Sequence, residues 1–253
     1  MLKIRVIPCL LLKGRGLVKT VRFKDPKYVG DPLNAVKIFN DKEVDELVFL
    51  DITATVENRK PQFDLIADIA TECFMPFGYG GGIRSIDDAK RILKLGAEKI
   101  VVNTFALENP GFIQKASEVF GSQSVVVSMD VKRRPSGDYV LYSHSGTRNT
   151  GIDPIKFAKR IEELGAGELF VNSIDRDGTM QGYDIELIKS ISENVDLPVI
   201  ACGGAGKLQD LQEATFAGKA SAVSAGSMFV FHGPHRAVLI NYPSQADLKR
   251  LFK

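Results

Sequence analysis

Four aspartates come at or just after the ends of apolar runs that predict buried strands: Asp51, Asp130, Asp175 and Asp177. Carboxylates in such places can act as general acids or bases, because an α/β barrel carries its catalytic groups at the carboxyl ends of its strands. The same carboxylates can also brace a loop, and this structural role has more weight for Asp51 and Asp175. Asp177 precedes Gly178, which is also ordinary turn chemistry. Asp130 is therefore the leading candidate for acid–base work.

The stretch that contains Asp130 has a counterpart near the start of the chain. Val125–Lys132 and Val6–Lys13 are similar apolar runs, and aligning their final lysines puts Leu11 opposite Asp130. A leucine cannot transfer a proton. One half of the chain therefore carries an acid where the other half carries a leucine, and the prediction of function depends on this asymmetry.

Two glycine clusters, Gly80–Gly82 and Gly203–Gly204, each follow a predicted strand and precede a predicted helix. Backbone N–H groups beside a helix amino terminus bind phosphate well. Asn103–Thr104 and Gly226–Ser227 follow the next strand in each half and add amides and a hydroxyl group. Either cluster alone is as often a tight turn, but two at matching places suggest a ligand with a phosphate at each end. Lys19 is either a contact for such an anion or a solvated side chain.

Two basic and two acidic residues mark the starts of four predicted strands: Arg5, Glu46, Lys99 and Glu168. Residues at these positions can point into the floor of a barrel, where an unpaired charge is costly. Two bases and two acids could neutralise one another there as a ring. The alternative is that all four are solvated strand ends, and their spacing alone does not decide between the two.

Composition argues against several classes of protein. The chain has 253 residues and a net charge of +2, so nothing in its overall charge predicts binding to nucleic acid or to an anionic membrane. No apolar run reaches the roughly 18 residues of a membrane-spanning helix, and the amino terminus lacks a signal-peptide pattern. Cys9, Cys73 and Cys202 are odd in number and far apart, which predicts reduced thiols in a cytoplasmic protein. The three histidines lack ligand spacing, so we expect neither a metal nor another cofactor.

Strand and helix signals alternate along the whole chain, which predicts an α/β fold, a (βα)8 TIM barrel formed by a single domain of residues 1–253. An open doubly wound sheet is the alternative, but it usually has fewer strands and a single glycine-rich fingerprint. An internal repeat at offsets of 122 and 123 residues favours a closed barrel of two similar half-barrels. The eight predicted strands are Ile4–Leu11, Glu46–Ile52, Met75–Tyr79, Lys99–Asn103, Ser124–Asp130, Glu168–Ile174, Pro198–Cys202 and Ala220–Ala225.

Local signals mark the ends of several elements. Asp31, Ser85 and Asp153 have the positions and side chains of helix N-caps. Lys132–His144 predicts a hairpin inserted after the fifth strand. Lys13–Lys27 predicts a long, basic, glycine-bearing loop, and loops at this end of a barrel are candidate lids.

A family resemblance covers nearly the full length of the chain. It is carried by Ile7–Leu10, Asp45–Thr53, Gly80–Ile83, Phe120–Gln123, Ser173–Thr179, Gly182–Asp184 and Gly203–Gly206. These segments resemble the cyclase-subunit (HisF) family of imidazole glycerol phosphate synthase, which makes the imidazole ring in histidine biosynthesis. The resemblance implies a lyase-type barrel enzyme that works in a glutamine amidotransferase complex.

The resemblance also implies a substrate and a partner. The family's substrate is a bis-phosphorylated ribulosyl aminoimidazole carboxamide, and Lys19 would contact it. A HisH-like glutaminase docks on the amino-terminal face of the barrel and supplies ammonia through a salt-bridge gate. Gly82, Asn103 and Thr104 would hold one phosphate; Asp177, Gly178, Gly204, Gly226 and Ser227 would hold the other; and the gate positions match Arg5, Glu46, Lys99 and Glu168.

The chain departs from the family pattern where the chemistry takes place. The family uses two aspartates, of which one matches Asp130 and the other falls at Leu11. Loss of a positioned acid or base typically costs ~10²–10⁴-fold in rate. Asn172 stands where a threonine is usual, Cys202 where a serine is usual, and Tyr79 where a small aliphatic residue is expected near the mouth. Together these changes indicate a retuned site.

Three functions fit this combination. The first is a divergent cyclase-type subunit that receives ammonia from a glutaminase and supports amidation of a nucleotide sugar or related phosphorylated substrate, similar to paralogues found with surface-polysaccharide genes. The second is an authentic cyclase of L-histidine biosynthesis, against which Leu11 argues. The third is a non-catalytic barrel that only activates its glutaminase or conducts ammonia, against which the retained Asp130 argues mildly.

Overall fold

The computed structural model describes residues 3–233 and 235–253. Strands and helices alternate along it, as the sequence predicts. In chain order the elements are β1 (Arg5–Lys13), β2 (Gly16–Val21), β3 (Lys24–Gly30), α1 (Pro32–Asp41), β4 (Leu47–Asp51), α2 (Phe63–Glu72), β5 (Phe77–Gly80), α3 (Ile86–Lys94), β6 (Lys99–Val102), α4 (Thr104–Glu108), α5 (Gly111–Phe120), a 3-10 turn (Ser122–Ser124), β7 (Val125–Arg133), β8 (Tyr139–Ser143), β9 (Arg148–Asn149), α6 (Pro154–Glu163), β10 (Glu168–Ser173), α7 (Ile185–Ser192), β11 (Val199–Cys202), α8 (Leu208–Phe216), β12 (Ala222–Ala225), α9 (Ser227–Val230), β13 (Phe231–His232), β14 (Ala237–Val238) and α10 (Gln245–Leu251).

Eight of these strands form a closed parallel ring. The order around it is β1, β4, β5, β6, β7, β10, β11 and β12, and β12 pairs again with β1. The prediction of a (βα)8 barrel is confirmed, and the open doubly wound sheet is wrong because β7 and β10 also pair and leave no open edge. The repeated segments fall at equivalent places, with Glu46–Asp51 at β4 and Glu168–Ser173 at β10.

Alternating side chains along the ring strands separate two apolar clusters. One lies between the strands and the surrounding helices, where Leu10, Phe49 and Tyr79 are fully buried. The other fills the interior of the barrel. Its buried members are Ile7, Cys9, Val48, Val101, Val126, Phe170, Ile200, Cys202 and Ala222, and Leu11 and Leu50 pack against them.

Helix caps fix where several helices begin. The Asp31 carboxylate accepts hydrogen bonds from the backbone of Leu33 and Asn34, and Ser85 and Asp153 cap α3 and α6 in the same way. These three predictions are confirmed. Within the described residues, no helix combines the length and the apolar character needed to cross a membrane.

The segment predicted as a long loop after the first strand is an antiparallel hairpin, so that prediction is wrong. β2 pairs with both β1 and β3, and its two-residue turn, Arg22–Phe23, has positive φ angles of 53° and 62°. Such turns usually carry asparagine and glycine, so Arg-Phe gives no local signal. The hairpin predicted over Lys132–His144 is confirmed as β7 and β8, with Gly137 N donating to Arg134 O at 2.9 Å.

Candidate active site

A cavity of about 140 Å³ lies at the carboxyl ends of the ring strands. It brings together most of the residues that the sequence suggested for catalysis and substrate binding, although they come from distant parts of the chain. The predicted residues that line it are Leu11, Lys19, Gly82, Asn103, Thr104, Asp130, Asp177, Gly178, Gly226 and Ser227.

Gly204, predicted to hold a phosphate, does not line the cavity, whereas its neighbours Gly203 and Ala205 do. The Gly204 carbonyl accepts a hydrogen bond from Gly182 N at 2.8 Å, and the backbone has a φ of 112°. A Cβ at Gly204 would overlap the Gly182 carbonyl. Gly204 therefore shapes the turn, and a ligand at this end would meet its neighbours.

The two glycine clusters stand across the barrel from each other, because β5 and β11 are four strands apart in the ring. At the first cluster, the Asn103 amide donates to Ser128 O at 3.0 Å, and the Thr104 hydroxyl accepts from His144 N at 2.9 Å. Both side chains are therefore held in place before any ligand binds. The positions of the two glycine clusters suit the two ends of one elongated ligand.

Lys19 lies inside the cavity, with only 6% of its surface exposed. Its ammonium donates to Cys9 O at 2.5 Å, and it occupies the space that a Cβ on Gly226 would need. The side chain is therefore buried and not solvated. A glycine at position 226 is required if Lys19 is to reach this place.

The β2–β3 hairpin is held over the cavity by Asp177. The Asp177 carboxylate accepts from the Thr20 hydroxyl at 2.8 Å and from Phe23 N at 3.3 Å, and its carbonyl accepts from Arg22 N at 2.8 Å. Burial raises the pKa of Asp177, although the Thr20 bond and the Lys19 charge oppose this. Asp177 thus has a structural role in closing the site as well as a place in its lining.

Asp130 is the cavity-lining carboxyl group best suited to proton transfer. Burial, and then the charge of Asp177, raise the pKa of the Asp130 carboxyl to about 7. A group with this pKa exchanges a proton readily near neutral pH, as a general acid or base must. Asp130 pairs in register with Asn172 of β10, and both residues line the cavity.

Leu11 faces the same cavity from β1 and is paired in register with Leu50 of β4. The two leucines continue the apolar interior of the barrel to the cavity floor. β1 and β7 are four strands apart in the ring. The position opposite Asp130 is therefore apolar.

Asp51 and Asp175 have the loop-bracing roles that the sequence favoured for them. Asp51 Oδ1 accepts from the backbone of Thr53 and Ala54, and Gln62 donates to Asp51 Oδ2 at 2.8 Å. Asp175 accepts from Arg133 N at 2.9 Å. Both carboxylates therefore hold the backbone of neighbouring loop or strand-end segments in place.

The four charged residues at the other end of the barrel form a closed ring of ion pairs. Arg5 contacts Glu46 and Glu168, each at 2.5 Å, and Lys99 contacts the same two carboxylates at 2.9 and 3.0 Å. Burial lowers the pKa of Arg5, but the charges of Glu168 and Glu46 outweigh it and raise the pKa overall. The ring arrangement is confirmed, and the alternative of four separately solvated strand ends is wrong.

Comparison with known proteins identifies the family. Residues 5–235 match the family profile described as histidine biosynthesis protein. The chain belongs to this family. A relative from Pseudomonas aeruginosa, provisionally named imidazole glycerol phosphate synthase subunit hisF2, is 55% identical over 243 residues, which cover 96% of this chain and 97% of the relative.

Two further relatives agree with this assignment. A Leptospira interrogans protein, provisionally named imidazole glycerol phosphate synthase subunit HisF, is 49% identical over the full length of both chains. The imidazole glycerol phosphate synthase subunit HisF of Alkaliphilus metalliredigens is 45% identical over 90% of each chain. The chain is therefore a divergent paralogue of the HisF family.

Besides Leu11, two departures from the family pattern lie at the cavity of this HisF-like barrel, whereas Tyr79 does not. Asn172 and Cys202 line the cavity, and they pair in register on neighbouring strands. Tyr79 instead points outward between the ring and α2, where its hydroxyl accepts from Gln62 N at 3.2 Å. The expectation that Tyr79 alters the mouth is wrong, because the glycines on either side of it face the interior instead.

Cys9 and Cys202 bring their thiols together inside the barrel. Hydrogen bonding with Cys202 lowers the pKa of the Cys9 thiol, whereas the same contact and burial raise that of Cys202. Among residues 3–233 and 235–253, no group of three or more histidine, cysteine or acidic side chains has the arrangement of a metal site.

Proposed function

We propose that this HisF-like chain receives ammonia from a HisH-like glutaminase and supports an amination other than the ring closure of histidine biosynthesis. The observation that carries the proposal is Leu11, which faces Asp130 across the cavity where the family's second aspartate would be. One of the two acids remains, Asp130, and its pKa is raised to about 7. Without its partner, the two-acid chemistry of the cyclase is not available.

The barrel interior supports a path for ammonia. The ion-pair ring around Arg5 closes the amino-terminal end, and apolar side chains such as Val126 and Phe170 fill the interior above it. An apolar interior excludes charged ammonium far more strongly than neutral ammonia. A glutaminase docked against the ring would release ammonia at the entrance.

The acceptor is a phosphorylated molecule in this proposal. Backbone turns at the two glycine clusters lie across the barrel from each other, and Lys19 adds one buried positive charge to the cavity. The resemblance to paralogues found with surface-polysaccharide genes favours a nucleotide sugar or a related phosphorylated sugar as the molecule that is amidated.

The decisive experiment measures ammonia-dependent turnover of the ribulosyl aminoimidazole carboxamide bisphosphate by the unmodified chain. A high ammonium concentration makes a glutaminase unnecessary. We expect turnover at least ~10²-fold below that of a cyclase with both aspartates. Turnover equal to such a cyclase would mean that the chain is an authentic histidine-biosynthesis enzyme, the alternative that the 45% identity with the Alkaliphilus subunit favours.

A second experiment tests the ammonia path by itself. In the complex with the glutaminase, Lys99→Ala should reduce the amount of aminated product formed per glutamine hydrolysed, because it opens the ion-pair ring. Lys219→Ala is a matched control, since Lys219 pairs with Glu193 on the surface. An unchanged ratio in Lys99→Ala would remove the conduit from the proposal.

A further inference from the structure

The cavity is small for the acceptor proposed above. Its volume is about 140 Å³, whereas sites that enclose a drug-sized ligand typically measure roughly 300–1,000 Å³. A nucleotide sugar is at least as large as such ligands. Part of it must therefore lie outside the cavity, on the surface next to the mouth.

The β7–β8 hairpin extends the inner wall of the barrel outward past Asp130. Side chains alternate along a strand, so Asp130 and Lys132 of β7 point to the same side. Asp130 is opposite Tyr142 of β8, and Tyr142 is opposite Asn149 of β9. Residues that are directly opposite one another share a face of the sheet. The row from Asp130 to Asn149 crosses two strand spacings, roughly 10 Å, so a ligand at Asp130 can continue onto this face.

A shallow groove lies on this extension of the wall. Its described lining includes Lys132, Arg133, Arg134, Tyr142 and Asn149, and no carboxylate belongs to that lining. A concave surface with three basic side chains and no acidic one favours an anionic ligand. The groove therefore has the charge that the phosphates of the acceptor require.

Two of the three basic side chains are not engaged by acidic groups. Arg133 pairs with Glu186 at 3.1 Å and lies over the Tyr139 ring. Among the residues that the structure describes, neither Lys132 nor Arg134 has a carboxylate within 4.0 Å. Both side chains are exposed. They can therefore bind a phosphate without first breaking an ion pair.

Tyr142 gives the groove an aromatic surface beside these charges. The Lys132 ammonium lies 5.8 Å from the centre of the Tyr142 ring, and the ring is half-buried. Aromatic side chains bind nucleobases by stacking, and this contact tolerates any base. One ligand can thus place a phosphate on the ammonium and a flat base on the ring.

Strand β8 connects the groove to the first glycine cluster. His144, which follows β8, donates its backbone N–H to Thr104, and the neighbouring Asn103 amide donates to Ser128 O of β7. Tyr142 is two residues from His144, a distance of roughly 7 Å along a strand. A diphosphate that begins at Asn103 and Thr104 therefore leads toward the groove.

We propose that Lys132, Arg134 and Tyr142 bind the nucleoside diphosphate end of the acceptor in this groove. The two basic side chains contact the phosphate, the Tyr142 ring stacks on the base, and the sugar lies in the cavity beside Asp130. This inference rests on the proposed function, because it identifies which part of a nucleotide sugar lies outside the cavity. It assigns to the hairpin after the fifth ring strand a role in selecting the acceptor.

The test is isothermal titration calorimetry of the full chain with three probes: uridine diphosphate, inorganic pyrophosphate and uridine. We expect uridine diphosphate to bind about fivefold or more tightly than pyrophosphate, because only the nucleotide gains stacking on the ring. Uridine should bind most weakly, since it has no charge for the basic side chains. Raising the salt concentration should weaken binding of both charged probes.

The variants locate the binding site. Lys132→Met and Arg134→Met should each weaken uridine diphosphate binding by about tenfold, because each removes a charged hydrogen-bond donor. Lys115→Met, at an exposed lysine of α5, removes the same charge and is the matched control. Tyr142→Leu should weaken nucleotide binding by about fivefold or more and pyrophosphate binding less. Tyr142→Phe keeps the ring and should bind like the unmodified chain.

Three results would overturn the groove as a nucleotide site. The first is equal affinity of Lys132→Met and Lys115→Met for uridine diphosphate. The second is pyrophosphate binding as tight as that of the nucleotide, which would remove the stacked base. The third is binding that Gly226→Ala weakens and Lys132→Met does not, which would place the nucleotide at the second glycine cluster.

The calorimetry needs neither ammonia nor a glutaminase, so it is independent of the tests of the proposed function. Nucleotide binding in the groove, together with full cyclase turnover by the unmodified chain, would reject the proposed function and keep the groove. Low cyclase turnover without nucleotide binding would reject the groove and keep the proposed function.

Discussion

Leu11 and Asp130 face one cavity from strands that are four apart in either direction around the barrel. The two residues occupy corresponding places in the two halves of the chain, and only one of them can exchange a proton. Burial and the charge of Asp177 bring the pKa of Asp130 to about 7, whereas Leu11 extends the apolar interior. The asymmetry between the half-barrels is thus an asymmetry of chemistry within one site.

Restoring an acid at position 11 should restore part of the cyclase reaction. We expect Leu11→Asp to raise ammonia-dependent turnover of the ribulosyl aminoimidazole carboxamide bisphosphate by about tenfold or more, because the effect of a positioned acid or base is ~10²–10⁴-fold. Leu50→Asp is the control, since Leu50 is the register partner of Leu11 and lines the same cavity. Equal gains in both variants would show that a carboxylate anywhere on the floor suffices.

The buried carboxyl of Asp130 should make stability depend on pH. Its pKa is about 7 in the folded chain and about 3.9 in the unfolded one. The folded state therefore binds the proton more tightly, and the free energy of unfolding falls as the pH rises from about 4 to about 7. Asp130→Asn should remove this loss, with no advantage at pH 4 and one of up to about 4 kcal/mol above pH 7.

Urea denaturation of both proteins at several pH values measures this difference. Asp177 also has a raised pKa, and Lys19 lies nearby, but both residues are present in both proteins. Their titration contributes to each curve and largely cancels in the difference. An advantage of Asp130→Asn that is the same at pH 4 and pH 8 would contradict the raised pKa.

Opening the ion-pair ring should destabilise the barrel. Lys99→Met leaves Glu46 and Glu168 with Arg5 as their one remaining partner in the ring, and Glu46 is only 3% exposed. Removing one partner of a buried ion pair costs about 3 kcal/mol, which chemical denaturation at pH 7 would detect. Lys219→Met breaks an exposed pair with Glu193 and should change little. A similar small change in both variants would mean that the ring is well hydrated.

Inorganic phosphate should stabilise the chain if the glycine clusters bind phosphate. At a phosphate concentration 100 times the Kd, linkage adds about 2.7 kcal/mol, which appears as a rise in melting temperature. Gly226→Ala should reduce the rise, because its Cβ would overlap the buried ammonium of Lys19. Gly111→Ala, where a Cβ meets an ordinary contact, is the control. An identical rise for Gly226→Ala and Gly111→Ala would place phosphate elsewhere.

Tyr79→Phe tests whether this side chain belongs to the site. The change removes the hydroxyl that accepts from Gln62 N on the outer side of the ring. We expect a loss of about 1 kcal/mol in the free energy of unfolding and no change in phosphate binding. An altered response to phosphate would mean that Tyr79 influences the cavity after all.

The sequence by itself determined the parts of this protein that rest on local signals. Buried runs such as Val125–Met129 predicted strands, and caps such as Asp31 and Ser85 predicted helix starts, because these patterns act within a few residues. The internal repeat then favoured a closed barrel, and strand-start charges such as Arg5 suggested the ring. The motifs and the family resemblance predicted ten of the residues that line the cavity, and also Gly204, which lies beside it.

Only the tertiary structure decided features that depend on contacts between distant residues. The hairpin at Arg22–Phe23 is stabilised by Asp177 and not by a turn sequence, so no local pattern predicts it. The raised pKa of Asp130 and the unpaired oxygen of Asn172 arise from burial beside residues that are remote in sequence. Burial and hydrogen-bond satisfaction are properties of the closed barrel, and they exist only after its eight strands have met.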